Sequence, residues 1–216
     1  MTNNFVPALG NPKLTRFYDL AIALMTRERK WRPEFVHLID PQDGEVLIDV
    51  GSGTGSLAIA LKSQAPNSRV IGVDPDPVVL ELARGKAKAR NQSIEWFEEM
   101  GGAISSVLGP IRADKIVSSL VLHQCLPDMK LRILGAMHKA SKPGGQLFLA
   151  DYGLQRTALM RLLFRQVQNL DGWECTTPNA KGELPSMIAS AGFRNVREVR
   201  VIQTLTGSIS FFHAIA

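Results

Sequence analysis

Two acidic residues and a run of alternating glycines form a group that could bind a small polar ligand. Asp49 precedes Gly51, Gly53 and Gly55, and Asp74 follows further along the chain. Glycines let the backbone turn tightly and let a ligand approach more closely than a Cβ atom would allow. An acid at the end of a strand can accept hydrogen bonds from the two hydroxyls of a ribose. The group therefore predicts a site for a nucleoside with a small anionic tail.

Apolar runs around these residues indicate the elements that position them. Residues 46–50 predict a strand buried on both faces, residues 56–61 a helix, and residues 70–73 a second buried strand that ends at Asp74. The free N–H groups of a helix that starts near Ser56 would point at the ligand, and they suit a carboxylate. Further strands and helices alternate up to residue 150, which predicts right-handed crossovers and a parallel sheet.

The spacing of the glycines separates two ligand classes. A dinucleotide site has the spacing G-x-G-x-x-G, whereas this chain has G-x-G-x-G, which disfavours a nicotinamide-dependent oxidoreductase. The stretch resembles motif I of the class I S-adenosylmethionine-dependent methyltransferases, with the ribose-binding acid of the next motif at Asp74. The competing interpretation is a doubly wound domain whose tight turn binds no ligand.

The resemblance extends over nearly the whole chain. Residues 113–123 resemble the family's fourth motif, and residues 141–147 resemble its K-P-G-G turn before strand five. Residues 196–205 and 208–215 are predicted to form a terminal antiparallel hairpin. The resemblance implies a three-layer, doubly wound α/β fold with strand order 3-2-1-4-5-7-6 and strand 7 antiparallel. Residues 16–19 and the Leu-His segment at 122–123 most resemble the ubiquinone/menaquinone C-methyltransferase group.

The resemblance also implies a set of residues that bind S-adenosylmethionine. In many relatives an acid after the third strand binds the adenine amino group, but the simplest alignment puts Met100 there and a shift of one residue puts Glu99 there. Adenine recognition could therefore depend on Glu99, on the Met100 amide or on apolar packing. The predicted cofactor-binding residues are Asp49, Gly51, Ser52, Gly53, Thr54, Gly55, Asp74, Pro75, Glu99, Met100, Ser119 and Leu120.

Three residues are candidates for a direct role in methyl transfer. Methyl transfer needs a base only when the acceptor loses a proton. His123 follows strand four and could act as a base or orient a hydroxyl, or it could be packed under a cap. Tyr18 could cover the cofactor or contact the acceptor, or it could be a core aromatic. Asp151 at the end of strand five could lie on the acceptor side, or it could cap the following helix.

The length of the chain and the positions of its Gly and Pro residues predict one methyltransferase domain over residues 1–216. Residues 1–42 are expected to form an N-terminal helical cap over the mouth of the site, with a helix over 14–30 and a second helix opened by Pro33. Residues 151–183 are expected to form a cap insert, with a helix over 157–170 and loops over 171–174 and 176–179. These two segments are expected to select the acceptor.

The composition of the chain limits which partners and which cell compartment are expected. Cys125 and Cys175 are isolated, so neither a metal site nor a disulfide framework is predicted. The net charge of +5 is scattered and forms no long basic block, which gives little support for a nucleic-acid partner. No apolar run is long enough to span a membrane, and the first residues lack a signal-peptide pattern, so a cytoplasmic monomer or homodimer is expected.

The sequence therefore favours methyl transfer from S-adenosylmethionine to oxygen, nitrogen or carbon of a small acceptor that is apolar, aromatic, quinone-like or a lipid. An RNA or protein methyltransferase is a weaker alternative, because no N-P-P-[YF] motif follows strand four, where residues 118–121 read S-S-L-V. A member of the fold that binds the cofactor without catalysis is the third alternative.

Overall fold

A seven-stranded sheet forms the centre of the structure, a computed structural model that describes residues 26–216 (residues 106 and 107 by their backbone alone). The strand order is β3-β2-β1-β4-β5-β7-β6, and β7 runs antiparallel to both of its neighbours. This order confirms the one predicted from the sequence. The strands are β1 Val46–Val50, β2 Arg69–Asp74, β3 Glu95–Glu98, β4 Ala113–Ser119, β5 Ser141–Tyr152, β6 Arg194–Thr204 and β7 Gly207–Ile215.

Helices cover both faces of this sheet. The α-helices of the described region are α1 Glu28–Ile39, α2 Ser56–Gln64, α3 Pro77–Lys88, α4 Ile104–Leu108, α5 Pro127–Ala140, α6 Ala158–Asp171, α7 Trp173–Lys181 and α8 Leu184–Ser190. Two short 3₁₀ turns, Gly101–Ala103 and Leu122–Gln124, follow β3 and β4. No helix within residues 26–216 is both long enough and apolar enough to cross a bilayer.

Alternation along the strands divides the apolar core in two. In β1, Leu47 belongs to a cluster with α1, α2 and α6, whereas Ile48 and Val50 belong to a cluster with α4, α5 and α8. Successive side chains of a strand point to opposite faces, so Asp49 shares the α1 and α2 face with Leu47. The first cluster thus surrounds a buried carboxylate, which is the first element of the site.

Helix α1 differs from its prediction in two ways. It runs through Pro33 rather than starting there, and Pro33 removes a single hydrogen bond near the start of the helix. Trp31, Phe35 and Ile39 are buried against the sheet, and the Trp31 ring lies 6.0 Å from that of Phe211 in an edge-on contact. Apolar burial of this size offsets the lost hydrogen bond. The helix therefore packs on the sheet face, and the cap predicted over residues 1–42 stays a prediction.

The segment 171–179 also differs from its prediction, because it is helical rather than loop. Helix α6 continues to Asp171, and α7 begins at Trp173 directly after Gly172. Polar residues inside α7 suggested a loop, but Thr176 and Asn179 are completely buried and have partners. Thr176 Oγ1 donates to the Gly172 carbonyl at 2.7 Å. Tertiary contacts thus override the weak helix propensity of these residues.

Candidate active site

The glycine turn after β1 forms the floor of the candidate site. Gly51 N and Ser52 N both donate to the Val73 carbonyl, at 2.8 and 3.0 Å, which holds the turn against the end of β2. Gly51, Gly53 and Gly55 have φ values of +71°, +51° and +76°. This left-handed backbone favours glycine, so the alternating spacing follows from the shape of the turn. Helix α2 begins directly after it, with its first N–H groups at the site.

Asp74 closes the floor from the end of β2. Its Oδ2 accepts a hydrogen bond from Gly53 N at 2.8 Å, and its Oδ1 accepts one from Asp76 N at 3.0 Å. Burial raises the pKa of the Asp74 carboxyl, and these two backbone donors oppose that rise. Each carboxylate oxygen has two lone pairs, so each can still accept one hydroxyl of a ribose.

Asp49 and Ser52 carry polar atoms that lack a partner among residues 26–216. Both carboxylate oxygens of Asp49 and the Ser52 hydroxyl are buried without a hydrogen bond. Burial raises the Asp49 pKa to about 7, although the nearby Arg32 charge acts in the opposite direction. Buried polar groups in folded proteins nearly always have partners. Their orphaned state here fits a site for a polar ligand with a positively charged group.

Arg32 is a site residue that the sequence reasoning missed. It reaches the β1 end from α1, pairs with Glu28, and lies over the Trp31 ring at 5.4 Å. Burial lowers its pKa to about 10, while the Asp49 charge favours the protonated form. Arg32 is half-buried and makes no ion pair with the buried Asp49 carboxylate, and a cation and an anion placed in this way match the carboxylate and ammonium of an amino acid. The only sequence signal was an arginine beside an apolar helix stripe.

The last residue of β4 and the residues that follow it, residues 119–123, form a wall between the part of the site at the end of β1 and the part at the end of β5. Leu120 has φ +57°, which is strained for a residue other than glycine, and its N–H donates to the Ala150 carbonyl at 2.8 Å. Val121 lies directly over the glycine turn, because a Cβ atom on Gly51 would be 2.3 Å from Val121 Cγ2. Ser119 ends β4 beside Ala150.

The end of β3 supplies the predicted adenine side. Glu99 N donates to the Asp74 carbonyl at 3.2 Å, so residue 99 lies beside the ribose acid. The Glu99 carboxylate accepts the Met100 N–H at 2.8 Å, which engages the amide that was one of the predicted adenine contacts. Both side chains are half-buried. Pro75 and Thr54 lie on the same rim and are also half-buried.

Asp151 anchors the wall from the other side rather than capping the helix that follows it. Its Oδ2 accepts hydrogen bonds from Val121 N at 3.1 Å and Leu122 N at 2.7 Å. Helix α6 is capped instead by Thr157, whose Oγ1 accepts from Met160 N. Burial would raise the Asp151 pKa, but the nearby imidazole and backbone donors hold it below its usual range.

His123 is buried between two carboxyl groups. Its Nδ1 lies 2.8 Å from Asp151 Oδ1, and its Nε2 lies 3.5 Å from Asp171 Oδ2 at the end of α6. An ionised Asp151 only accepts hydrogen bonds, so Nδ1 carries the proton. Burial raises the Asp171 pKa, opposed by His123. The position of His123 under the cap insert matches one of its two sequence interpretations, and its Nε2 remains the atom that could exchange a proton.

A buried lysine ties the cap insert to the core near the same place. Lys130 of α5 is fully buried, and its Nζ donates to the Cys175 carbonyl at 2.6 Å and to Asn179 Oδ1. Asn179 Nδ2 in turn donates to the Tyr152 carbonyl at 2.9 Å. Lys130, Asn179 and Asp171 were all absent from the sequence prediction, because only the fold brings α5, α6 and α7 together. Tyr18 lies outside the described residues.

The carboxyl ends of β1, β2, β4 and β5 thus form one continuous site. The chain leaves β1 in one direction along the sheet and β4 in the other, and ligands of doubly wound folds bind at such a switch point. Within residues 26–216, no cluster of three or more metal-ligating side chains occurs. The fold and site therefore define a nucleoside-binding domain of the Rossmann-like methyltransferase type.

Comparisons with known proteins agree with this class. Residues 48–147 match a family model described as a methyltransferase domain. The demethylmenaquinone methyltransferase of Thermus thermophilus is 29% identical over 150 residues, which cover 68% of this chain and 66% of that protein. The ubiquinone/menaquinone biosynthesis C-methyltransferase of Rubrivivax gelatinosus is 26% identical over 200 residues, which cover 83% and 76% of the two chains.

A solved structure of another protein has a similar fold. The pyocyanin biosynthetic protein PhzM superposes with a TM-score of 0.72 at 19% identity, over 96% of this chain and 60% of that one. The chain thus spans about two thirds or less of the Thermus protein and of PhzM. Over residues 48–147 the chain is similar to methyltransferase domains, and its fold is that of the class I S-adenosylmethionine-dependent methyltransferases, whose cofactor is S-adenosylmethionine.

Proposed function

We propose that the protein transfers the methyl group of S-adenosylmethionine to a small, largely apolar acceptor bound beneath α6 and α7. The observation that carries this proposal is the wall at residues 119–123. Orphaned polar atoms suited to the cofactor lie on its β1 side, and the buried His123–Asp151 pair lies on its β5 side. The names of the two quinone methyltransferase relatives support an acceptor of this kind.

The cofactor half follows from charge complementarity. Asp49 would hold the ammonium of the methionine end, Arg32 its carboxylate, and Asp74 the two ribose hydroxyls. When bound, the cofactor supplies an electrophilic methyl group on a sulfonium. The remaining residues proposed to line this half are Gly51, Ser52, Gly53, Thr54, Gly55, Pro75, Glu99, Met100, Ser119 and Leu120.

In the acceptor half of the site, His123 is the candidate base. Asp151 fixes the Nδ1–H tautomer, which leaves Nε2 to exchange a proton with Asp171 or with an acceptor hydroxyl that takes the place of Asp171. Tyr152 lies edge-on to the imidazole at 4.9 Å and Phe164 of α6 lies 4.9 Å from Tyr152, so apolar rings surround the reacting atoms. Asp151 acts here as a positioning residue, and the proposed role of Tyr18 at the acceptor is left to direct test.

The setting of the reaction is also part of the proposal. The acceptor is a small molecule rather than a nucleic acid, the compartment is the cytoplasm, and the active unit is a monomer or a homodimer. The charge of +5 is spread over the chain, in keeping with an acceptor other than RNA. Salt-dependent RNA binding, cell fractionation and light scattering test these three points.

Calorimetric titration with S-adenosylmethionine and with its demethylated product tests the cofactor half. Asp74→Ala removes the proposed ribose acceptors, and we expect affinity to fall by about tenfold to a hundredfold, since hydrogen bonds to charged groups contribute about 1.5–3 kcal/mol. Asp76→Ala is the matched control, because Asp76 caps α3 through Val78 N and should affect stability rather than affinity. Equal affinities of Asp74→Ala and the wild type would contradict the proposal.

Transfer of a labelled methyl group to a panel of phenolic, quinol and amine acceptors tests the acceptor half. For acceptors that must lose a proton, we expect His123→Gln to lower turnover by about 10²- to 10⁴-fold without changing cofactor affinity. His138→Gln is the control, since that imidazole packs edge-on against Phe193 on the far side of α5. Cofactor binding without turnover over the whole panel would favour a non-catalytic member of the fold.

A further inference from the structure

Helix α6 has a wide apolar side, and only one part of that side is buried. Met160, Phe164 and Val167 face the core and are at most 6% exposed. On the outer side, large apolar groups remain open to solvent. We define the outer stripe as Leu159, Leu162, Leu170 and Trp173, which are 59%, 58%, 77% and 54% exposed. Single exposed leucines are ordinary on protein surfaces, but a group on one helix side indicates an interaction site.

The outer stripe occupies one sector of the helix surface, in which the exposed Gln166 lies between Leu162 and Leu170. At 100° per residue, Leu159, Leu162 and Leu170 fall within about 80° of one another, and α6 with its 14 residues is about 21 Å long. Trp173 extends the stripe across the start of α7. Its Nε1 donates to Asn169 Oδ1 at 3.3 Å, which holds the indole beside α6. The four apolar side chains therefore lie on one sector of the α6 and α7 surface rather than scattered over it.

Positive charge flanks the outer stripe. Arg161 and Arg165 are exposed on one flank, and Arg161 Nη1 donates to the Gln155 and Arg156 carbonyls near the start of α6. Within residues 26–216, Arg165 forms no ion pair and is free to meet an external anion. Glu174 is exposed beside Trp173 and would remain in the aqueous headgroup layer. The chain as a whole carries a charge of +5.

We propose that the outer stripe docks the cap insert onto an anionic lipid surface, with α6 lying in the plane of the interface. A helix with leucines and tryptophan on one side and arginines on the flank is suited to this position, because the apolar side enters the acyl boundary and the cations meet the headgroups. On the inner side of the same helix, Phe164 packs against Tyr152 of β5, and so the helix covers the acceptor half of the site. A docked helix would open that half toward the source of an apolar acceptor.

Vesicle sedimentation of the full chain tests the docking. One set of vesicles contains phosphatidylcholine alone, and a second set contains phosphatidylcholine mixed with phosphatidylglycerol. We expect binding to the mixed vesicles, weaker binding at high salt, and little binding to neutral vesicles. Leu162→Glu removes an apolar anchor and adds a repelled charge, so binding should weaken by at least about tenfold. Leu131→Glu on α5, where the wild-type side chain is 40% exposed, should bind as the wild type does.

Other results would overturn the proposal. Absence of binding to both sets of vesicles, or equal loss in Leu162→Glu and Leu131→Glu, would exclude docking through the stripe. If Leu162→Glu lowers thermal stability without lipid, another part of the chain covers the stripe. If it converts a dimer to a monomer, a second copy covers it. Neither readout depends on methyl transfer, so failure here is separate from failure of the proposed function.

Discussion

Replacing Asp49 by Asn should stabilise the ligand-free protein at alkaline pH while it abolishes tight cofactor binding. Burial raises the folded-state pKa of Asp49 to about 7, against 3.8 for an ordinary carboxyl. A group with a raised pKa favours the fold only where it is protonated, so the wild type loses stability as the pH rises from about 4 to 7. A difference of about three pKa units corresponds to about 4 kcal/mol.

Asn removes this ionisation penalty but leaves a buried amide, which costs about 1–3 kcal/mol at every pH. We therefore expect the free energy of unfolding of Asp49→Asn, relative to the wild type, to be about 3 kcal/mol more favourable at pH 8 than at pH 4.5. Urea unfolding at the two pH values measures this difference, and calorimetry at pH 8 measures the loss of cofactor affinity.

Asp114→Asn is the control whose effect should not change between the two pH values. The Asp114 pKa is lowered despite burial, since its carboxylate pairs with Lys142 and accepts the Val46 N–H. Its contribution to stability is present above the unfolded pKa of 3.8 and is lost only as the pH falls below that value, so Asp114→Asn should destabilise the protein about equally at pH 8 and at pH 4.5. An effect of Asp49→Asn that does not change with pH would refute the reasoning, since Asp49 would then titrate normally.

Two further substitutions test the positions of backbone and cap. In urea unfolding, Gly51→Ala should destabilise the protein by about 2 kcal/mol more than Gly53→Ala does. Both glycines have positive φ, but only a Cβ atom on Gly51 collides with Val121. Equal losses of stability would mean that the wall is not fixed over the glycine turn. Lys130→Met should lower the free energy of unfolding by about 1–3 kcal/mol and speed amide hydrogen exchange in α7, because Asn179 loses its buried hydrogen-bond donor. Unchanged exchange in α7 would show that this contact does not hold the cap insert.

Short apolar runs made the central sheet predictable. Residues 46–50 and 70–73 are apolar without interruption, apart from Asp49 and Gly72, as buried parallel strands require. The glycine turn and Asp74 could be placed because they follow these strands directly. The terminal hairpin followed from the short link between its strands, whereas the position of β7 between β5 and β6 was implied by the family resemblance.

Contacts between distant elements were not predictable from local pattern. Helix α7 resembled a loop because Thr176 and Asn179 favour turns, and the partners of the Asn179 side chain, Lys130 of α5 and the Tyr152 carbonyl of β5, lie on distant elements. Arg32 resembled an ordinary surface arginine until α1 was found to pack beside Asp49. His123 was visible from the sequence, but the pairing of its second nitrogen with Asp171 required the fold.

The wall at residues 119–123 belongs to both halves of the site at once. Val121 rests on Gly51, while the same residue's N–H and that of Leu122 are held by Asp151. A ligand that shifts or rigidifies the wall from one side changes the cost of binding on the other. Such coupling is reciprocal, so whatever factor the cofactor adds to acceptor affinity, the acceptor must add to cofactor affinity. The size of this coupling would then be a property of five residues of backbone.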